Sequence, residues 1–77
     1  MLAARECRGC NLSGANLNAV FLEGVNLEQA NLKNANLWSA NLVNANLKQA
    51  NLAGVYPINS NLVGAILEES NLENAFL

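Results

Sequence analysis

Residues 30–52 read ANLKNANLWSANLVNANLKQANL, and the five-residue unit Ala-Asn-Leu-x-x recurs through the whole stretch. The same register extends over the 77-residue chain, because all 14 leucines fall in it and only Cys7 and Pro57 interrupt the series. The 15 Asn, 14 Leu and 12 Ala residues make up 41 of the 77 positions. Internal repetition of this kind predicts an architecture assembled from small, nearly identical units.

The five-residue period fits neither a regular helix nor a flat strand. On an α-helix each step would rotate the leucine by about 140°, so the leucines would form no stripe. On a flat strand an odd step would place successive leucines on opposite faces. The period therefore predicts a solenoid, in which the chain turns at regular intervals and directs each leucine toward a shared core.

The predicted core is a ladder of leucines flanked by small residues. The residue two positions before each Leu is usually Ala and shares its side of the chain, whereas the intervening Asn points outward. Small Ala beside large Leu lets narrow coils pack without voids. The core ladder comprises Leu12, Leu17, Leu22, Leu27, Leu32, Leu37, Leu42, Leu47, Leu52, Leu62, Leu67 and Leu72.

With the unit repeated in register and without an insertion, the chain resembles the pentapeptide-repeat proteins from about Glu6 to Leu77. The resemblance implies an all-β solenoid, a right-handed quadrilateral β-helix with about four coils of four five-residue faces. Arg5 stands where an inward small residue belongs, and an unpaired guanidinium is too costly to bury. We therefore expect an irregular segment over 1–5 and the β-helix domain over 6–77.

The outward residues also bear on the length of one coil. At a twenty-residue spacing, Arg8, Glu28, Lys48 and Glu68 form a single exposed column of alternating charge. A fifteen-residue coil would instead place Lys33 beside Lys48. The alternating column favours twenty residues per coil.

Cys7 and Cys10 form a Cys-x-x-Cys motif, for which three states are conceivable. A zinc site needs four ligands, and the chain has no histidine and no second cysteine pair. Both cysteines occupy inward slots, where free Cys behaves as a small hydrophobic residue. We expect buried free thiols, with a disulfide and redox or metal chemistry as the alternatives.

Pro57 replaces a core leucine and has no N–H to donate, so one inter-coil hydrogen bond should be lost there. The register continues beyond it, since Leu52 and Leu62 remain ten residues apart. Pro57 is interpreted as a tolerated defect at one corner, and the alternative is a bend that shapes a partner surface.

Composition excludes several functional classes. The net charge is −2 with only four basic residues, too few for a nucleic-acid patch. No apolar run approaches the roughly 20 residues of a membrane span, and the first ten residues lack the apolar stretch of a secretory signal. We expect no nucleic-acid or membrane partner, and the cytoplasm as the default location.

The sequence contains no catalytic constellation. Without His or Asp it cannot form a Ser-His-Asp triad, and its five glycines are scattered rather than grouped in a phosphate-binding loop. Glu68 and Glu69 are interpreted as solvated surface charge. We expect no enzyme activity, no cofactor, no metal and no small-molecule substrate. The stacked Asn side chains should bond along the ladder or to turn backbone.

Two functions remain. The first is a structural or protein-interaction module built on a rigid solenoid. The alternative comes from the resemblance, since some pentapeptide-repeat proteins mimic B-form DNA and bind type II topoisomerases such as gyrase. Duplex DNA as long as four coils would carry on the order of 11 negative charges. The net charge of −2 is far smaller, which favours the interaction module.

The candidate interaction patch comprises Trp38, Tyr56, Ile58 and Phe76, which fall in outward slots of one face. The next face adds Phe21, Val43 and Val63. Trp and Tyr are enriched in interface hot spots, and contiguous exposed apolar patches usually indicate association. We expect binding to a protein partner or self-association, most simply as a two-fold dimer near the C-terminal coil.

Overall fold

The computed structural model describes residues 5–75, which form a four-sided coil with twenty residues per turn. The first coil spans residues 5–24, the second 25–44, the third 45–64, and the fourth begins at residue 65. We name the faces by their five-residue units. Face A contains units 5–9, 25–29, 45–49 and 65–69; face B 10–14, 30–34, 50–54 and 70–74; face C 15–19, 35–39 and 55–59; and face D 20–24, 40–44 and 60–64.

We number the five residues of each unit as its first to fifth places. Parallel β-bridges join the second places of adjacent coils, and the bridged residues are always twenty residues apart. The prediction of twenty residues per coil is therefore confirmed. Within residues 5–75 each strand element is a single bridging residue, because a turn follows two positions later. The bridging residues are Glu6, Asn11, Asn16, Phe21, Asn26, Asn31, Asn36, Asn41, Asn46, Asn51, Tyr56, Asn61, Ile66 and Asn71.

Each of the ten units from 5–9 to 50–54 forms three backbone hydrogen bonds with the unit one coil further along, as the unit that begins at Val25 illustrates. Leu27 N–H donates to Asn46 O at 2.8 Å and Gln29 N–H to Lys48 O at 2.9 Å, while Asn46 N–H donates back to Val25 O at 2.9 Å. Repetition of this set satisfies the backbone polar groups on both sides of the core, as burial requires.

A tight turn closes every unit. The N–H after the turn donates to the carbonyl of the Leu slot, as Ala30 N–H does to Leu27 O at 3.0 Å. The fifth place has positive φ in all fourteen units from Gly9 to Asn74, five of them at glycine. Positive φ at only the second central residue defines a type II turn. Fourteen equivalent corners therefore produce the square cross-section.

The core is the space enclosed by the coils. Eight leucines of the ladder, Leu17 to Leu52, are buried together with the first-place Ala and Val residues from Val25 to Val55. Leu12, Leu62, Leu67 and Leu72 are partly buried and pack against this core, because each lies in the first or last described unit of its face.

Pro57 is buried and its turn is intact, with Ser60 N–H donating to Pro57 O at 3.0 Å. The rungs beside it are longer than usual. Leu37 N–H to Tyr56 O is 3.2 Å and Tyr56 N–H to Ala35 O is 3.4 Å, against 2.8 and 2.9 Å for the corresponding bonds at Leu27 and Asn46. Proline thus loosens one part of face C without shifting the register.

Arg5 differs from the repeat. Arg5 has a positive φ of 55° although it is in the first place of its unit, where the other described residues do not have positive φ. Its exposed guanidinium donates from Nη1 to Phe21 O at 3.2 Å. The first bridge of the ladder is at Glu6.

Candidate functional site: an apolar surface along face D

The second place of each unit is where the repeat and its exceptions differ most clearly. In ten of the fourteen units this residue is Asn, and in all ten its Oδ1 accepts the N–H two residues later, forming an Asx turn. Most of these bonds are close to 3.0 Å, as from Val43 N–H to Asn41 Oδ1. Of the two bonding modes predicted for the amides, turn backbone is therefore the dominant one.

Four second places lack Asn, and three of them hold large apolar or aromatic residues: Phe21, Tyr56 and Ile66. These side chains have no amide oxygen for an Asx turn. The N–H groups of Glu23 and Glu68 accordingly donate to no protein atom in residues 5–75. The chain replaces a regular local hydrogen bond at these places with apolar surface.

Phe21, Tyr56 and Ile66 are three of the six large apolar side chains that are exposed in the described chain, and the other three, Trp38, Ile58 and Val63, are fourth-place residues. Phe21 is 75% exposed and Val63 70%, followed by Ile66 at 48%, Trp38 at 44% and Ile58 at 41%. Phe21 and Val63 lie on face D itself. Trp38 and Ile58 lie in the corners that lead from face C into face D, and Ile66 is the second residue of a face A unit, just beyond the corner that ends face D. We call these five residues the face D surface.

The structure places three residues of the patch predicted from sequence, Trp38, Tyr56 and Ile58, on face C, and all three are exposed. Trp38 and Ile58 lie one above the other, and Ser39 N–H donates to Ile58 O at 2.9 Å beside them. Tyr56, 45% exposed, lies two residues before Ile58 in the same unit of face C. Phe76 lies outside the described residues.

Sequence reasoning missed Ile66. The signal was present, because Ile66 stands in a slot where the chain otherwise places Asn. The significance of Ile66 becomes clear only once the second-place Asn side chains are seen to accept the N–H of the turn.

The predicted charge column exists on face A. Arg8 Nε lies 3.9 Å from Glu28 Oε1, and Lys48 Nζ lies 3.7 Å from Glu68 Oε1. Arg8 and Glu68 are exposed, whereas Glu28 and Lys48 are partly buried. Ion pairs at the protein surface contribute about 0–1 kcal/mol each. The column aligns the coils but builds no concentrated negative surface.

An amide ladder runs beside this column in the fifth place of face A. Gln29 Nε2 donates to Gln49 Oε1 at 3.0 Å, and Gln49 Nε2 donates to Glu69 Oε1 at 3.2 Å. Glu68 and Glu69 therefore interact with different partners and do not act as a carboxylate pair.

The prediction of free thiols is wrong: Cys7 and Cys10 form a disulfide, with Cα atoms 5.2 Å apart. Burial of Cys7 was anticipated, but the type II turn also brings its first and fourth side chains to the same inward space. When both are Cys, this proximity permits the bond.

No group of three or more His, Cys, Asp or Glu residues in the described chain could hold a metal ion. Among these residues every buried side-chain polar atom also has a hydrogen-bond partner. Residues 5–75 contain no helix that could cross a membrane. The distinctive surface feature of the described chain is thus apolar.

The four-sided coil and its repeat define a class of β-solenoid, and family comparison identifies which one. The family model for pentapeptide repeats matches residues 10–49 and 40–77, with eight copies. The chain belongs to the pentapeptide-repeat family, and its fold is the right-handed quadrilateral β-helix of that family. Members are generally non-enzymatic structural modules.

Solved structures of cyanobacterial members are similar to the chain. The pentapeptide repeat protein Rfr23 from Cyanothece 51142 is 44% identical with a TM-score of 0.79, covering 82% of this chain and 44% of its own. The pentapeptide repeat protein alr5209 from Nostoc PCC 7120 is 33% identical with a TM-score of 0.51, covering 88% and 64%.

A third structure, HetL from Nostoc sp. PCC 7120, is described as involved in heterocyst differentiation regulation. It is 26% identical with a TM-score of 0.43, covering 86% of this chain and 38% of its own. The chain therefore spans less than two thirds of the length of each of these relatives. No curated protein matches it.

Proposed function

We propose that this chain is a non-enzymatic interaction module, a rigid solenoid that binds a protein partner through the face D surface. One observation carries the proposal: at Phe21 and Ile66 the chain replaces the Asn of its Asx turn with an exposed apolar residue. Features that depart from an otherwise consistent local rule are expected at functional sites.

The energetics support this reading. An intramolecular hydrogen bond contributes about 0.5–1.5 kcal/mol, so each replacement lowers the stability of its own turn. Phe21 recovers little by burial, because most of its surface remains exposed. Phe21 therefore contributes little to the stability of its own fold, whereas contact with another molecule would bury its apolar surface.

The size of the surface also suits a protein partner. At about 150–250 Å² for an aromatic side chain, Phe21 and Trp38 together expose roughly 200–250 Å², and Val63, Ile58 and Ile66 add to this apolar area. A standard interface buries about 800 Å² per partner, of which about 56–65% is apolar. The face D surface therefore approaches the apolar content of one side of such an interface.

The underlying coil holds these side chains rigidly. Trp38 N–H donates to Asn36 Oδ1 at 3.0 Å, and Trp38 O accepts from Ala19 N–H at 2.8 Å. Presentation of apolar groups from an ordered backbone reduces the entropy lost on binding.

The test is site-specific photo-cross-linking in the cell of origin. A benzoylphenylalanine at Val63 should give a discrete cross-linked species, and Phe21→Asn in the same chain should reduce its yield. The matched control carries the probe at Lys33, which is also an exposed fourth-place residue but lies on face B. Equal cross-linking from Val63 and Lys33, or a yield that Phe21→Asn does not lower, would contradict the proposal.

A second copy of the chain is the simplest partner, as in the two-fold dimer expected near the C-terminal coil. The mass of the cross-linked species distinguishes a dimer from a complex with another protein. DNA mimicry lacks comparable support, because Glu28 and Glu68 are paired with Arg8 and Lys48.

A further inference from the structure

We infer that the Cys7–Cys10 disulfide is a redox-controlled lock on the first coil, and that this lock governs the presentation of Phe21. Because the lock would regulate the face D surface, it rests in that respect on the proposed function. Three features support it: the turn that holds the cysteines, the packing of the first coil and the contact between Arg5 and Phe21.

The turn itself does not require the disulfide. Cys10 N–H donates to Cys7 O at 3.0 Å, as Ala30 N–H does to Leu27 O at the same distance. The other thirteen turns have the same closing hydrogen bond and no cross-link. The dithiol form therefore fits the same backbone, so oxidation and reduction change the linkage without requiring a different fold.

The first coil is held less firmly than the coil above it. Cys10, Leu12, Ala15 and Val20 are only partly buried, whereas the corresponding inward residues of the second coil are buried. Within residues 5–75 the inter-coil hydrogen bonds of the first coil all go to the second coil. A coil that buries less apolar surface opens more readily, so the first coil should open before the second.

Arg5 connects the start of this coil to Phe21. Its guanidinium donates to Phe21 O at 3.2 Å, and its carbonyl accepts from Asn26 N–H at 2.9 Å. Arg5 lies two residues before Cys7. A disulfide that restrains the start of the coil thus also favours the contact that closes the coil at Phe21.

The chemistry is thiol–disulfide exchange with a dithiol reductant. One thiolate of the reductant attacks the Sγ of Cys10, the less buried of the two residues, and Cys7 leaves as a thiolate that takes up a proton. The second thiolate of the reductant closes its own disulfide and releases Cys10, which is also protonated. Two electrons pass to the protein, and a small-molecule disulfide reverses the reaction.

The expected size of the effect follows from loop closure. The disulfide closes a four-residue loop from Cys7 to Cys10 and so lowers the entropy of the open state. The equilibrium constant for opening should be roughly 20-fold smaller in the oxidised chain. This effect should be local, since the remaining turns contain no cysteine.

Amide hydrogen exchange on the oxidised chain and on the chain reduced with dithiothreitol tests the lock. Reduction should accelerate exchange roughly 20-fold at Leu12, Leu17 and Leu22, whose N–H groups donate to the second coil. Leu32 and Leu42, which donate from the second coil to the third, should be unchanged.

The matched control is Cys7→Leu with Cys10→Ala, which restores the repeat unit. Its exchange should not respond to dithiothreitol. Unchanged first-coil exchange in the reduced wild type would overturn the lock, and so would equal acceleration in every coil. Reduction should also lower the Val63 cross-link toward the Phe21→Asn level. The proposed function is decided separately, by the effect of Phe21→Asn on the cross-link of the oxidised chain.

Discussion

Asn34 and Gly54 are stacked in adjacent coils of face B, and the Asn34 side-chain oxygen occupies the space that a Cβ at residue 54 would need. Gly54 has a φ of +71°. Position 54 therefore favours glycine for two reasons: its backbone is in the left-handed region, and the Asn34 amide occupies the space of a side chain.

Gly54→Ala should accordingly destabilise the chain more than Gly14→Ala does. Gly14 has nearly the same φ, but nothing lies within 4 Å of the point where a Cβ would stand, so only the left-handed penalty of about 1–2 kcal/mol applies. Displacement of the Asn34 side chain should add roughly 1 kcal/mol at Gly54. Urea unfolding measures both. The excess at Gly54 should disappear when Asn34 is also Ala, and its persistence would exclude the amide as the cause.

The Asx turns predict that replacing a second-place Asn lowers the stability of the chain more than replacing a fourth-place Asn. Asn41→Ala should lower the free energy of unfolding by about 0.5–1.5 kcal/mol, because Val43 N–H loses its acceptor. Asn18 is in the fourth place, where its side chain forms no such turn, and Asn18→Ala should be near neutral. Thermal unfolding of the two variants compares them directly. Equal effects would show that the amides at the second place do not stabilise the turns.

The core ladder predicts a gradient from the middle of the solenoid outward. Leu42 is buried in the second coil, whereas Leu72 in the fourth coil is only partly buried. Leu42→Ala should lose about 2–5 kcal/mol, and Leu72→Ala clearly less. Denaturant titration of both variants gives the comparison, and equal losses would contradict a continuous core.

The fold could be predicted from sequence because the five-residue period leaves few alternatives. A helix and a flat strand both fail to align Leu32, Leu37 and Leu42 on one side, whereas a coil with a corner in every unit succeeds. The twenty-residue turn was implied by the resemblance to pentapeptide-repeat proteins and supported by the charge column that includes Arg8 and Glu28, and the bridges confirm it.

Side-chain pairing was less accessible to sequence reasoning. Whether Cys7 and Cys10 are buried separately or joined depends on the 5.2 Å separation of their Cα atoms, which the turn type determines. The role of Asn41 was open for the same reason, since its amide could reach either the ladder or the backbone of the turn. Ile66 gained significance only once that role was known.

The central claim is that Phe21 serves binding rather than folding, and the stability of Phe21→Asn tests it most directly. Asn should restore the Asx turn to Glu23 N–H while little buried surface is lost. Measured by urea unfolding at a concentration where the chain is monomeric, Phe21→Asn should be at least as stable as wild type. It should also exceed Phe21→Ala by about 1 kcal/mol. A Phe21→Asn variant more than about 1 kcal/mol less stable than wild type would contradict the account, because the fold itself would then require the phenylalanine.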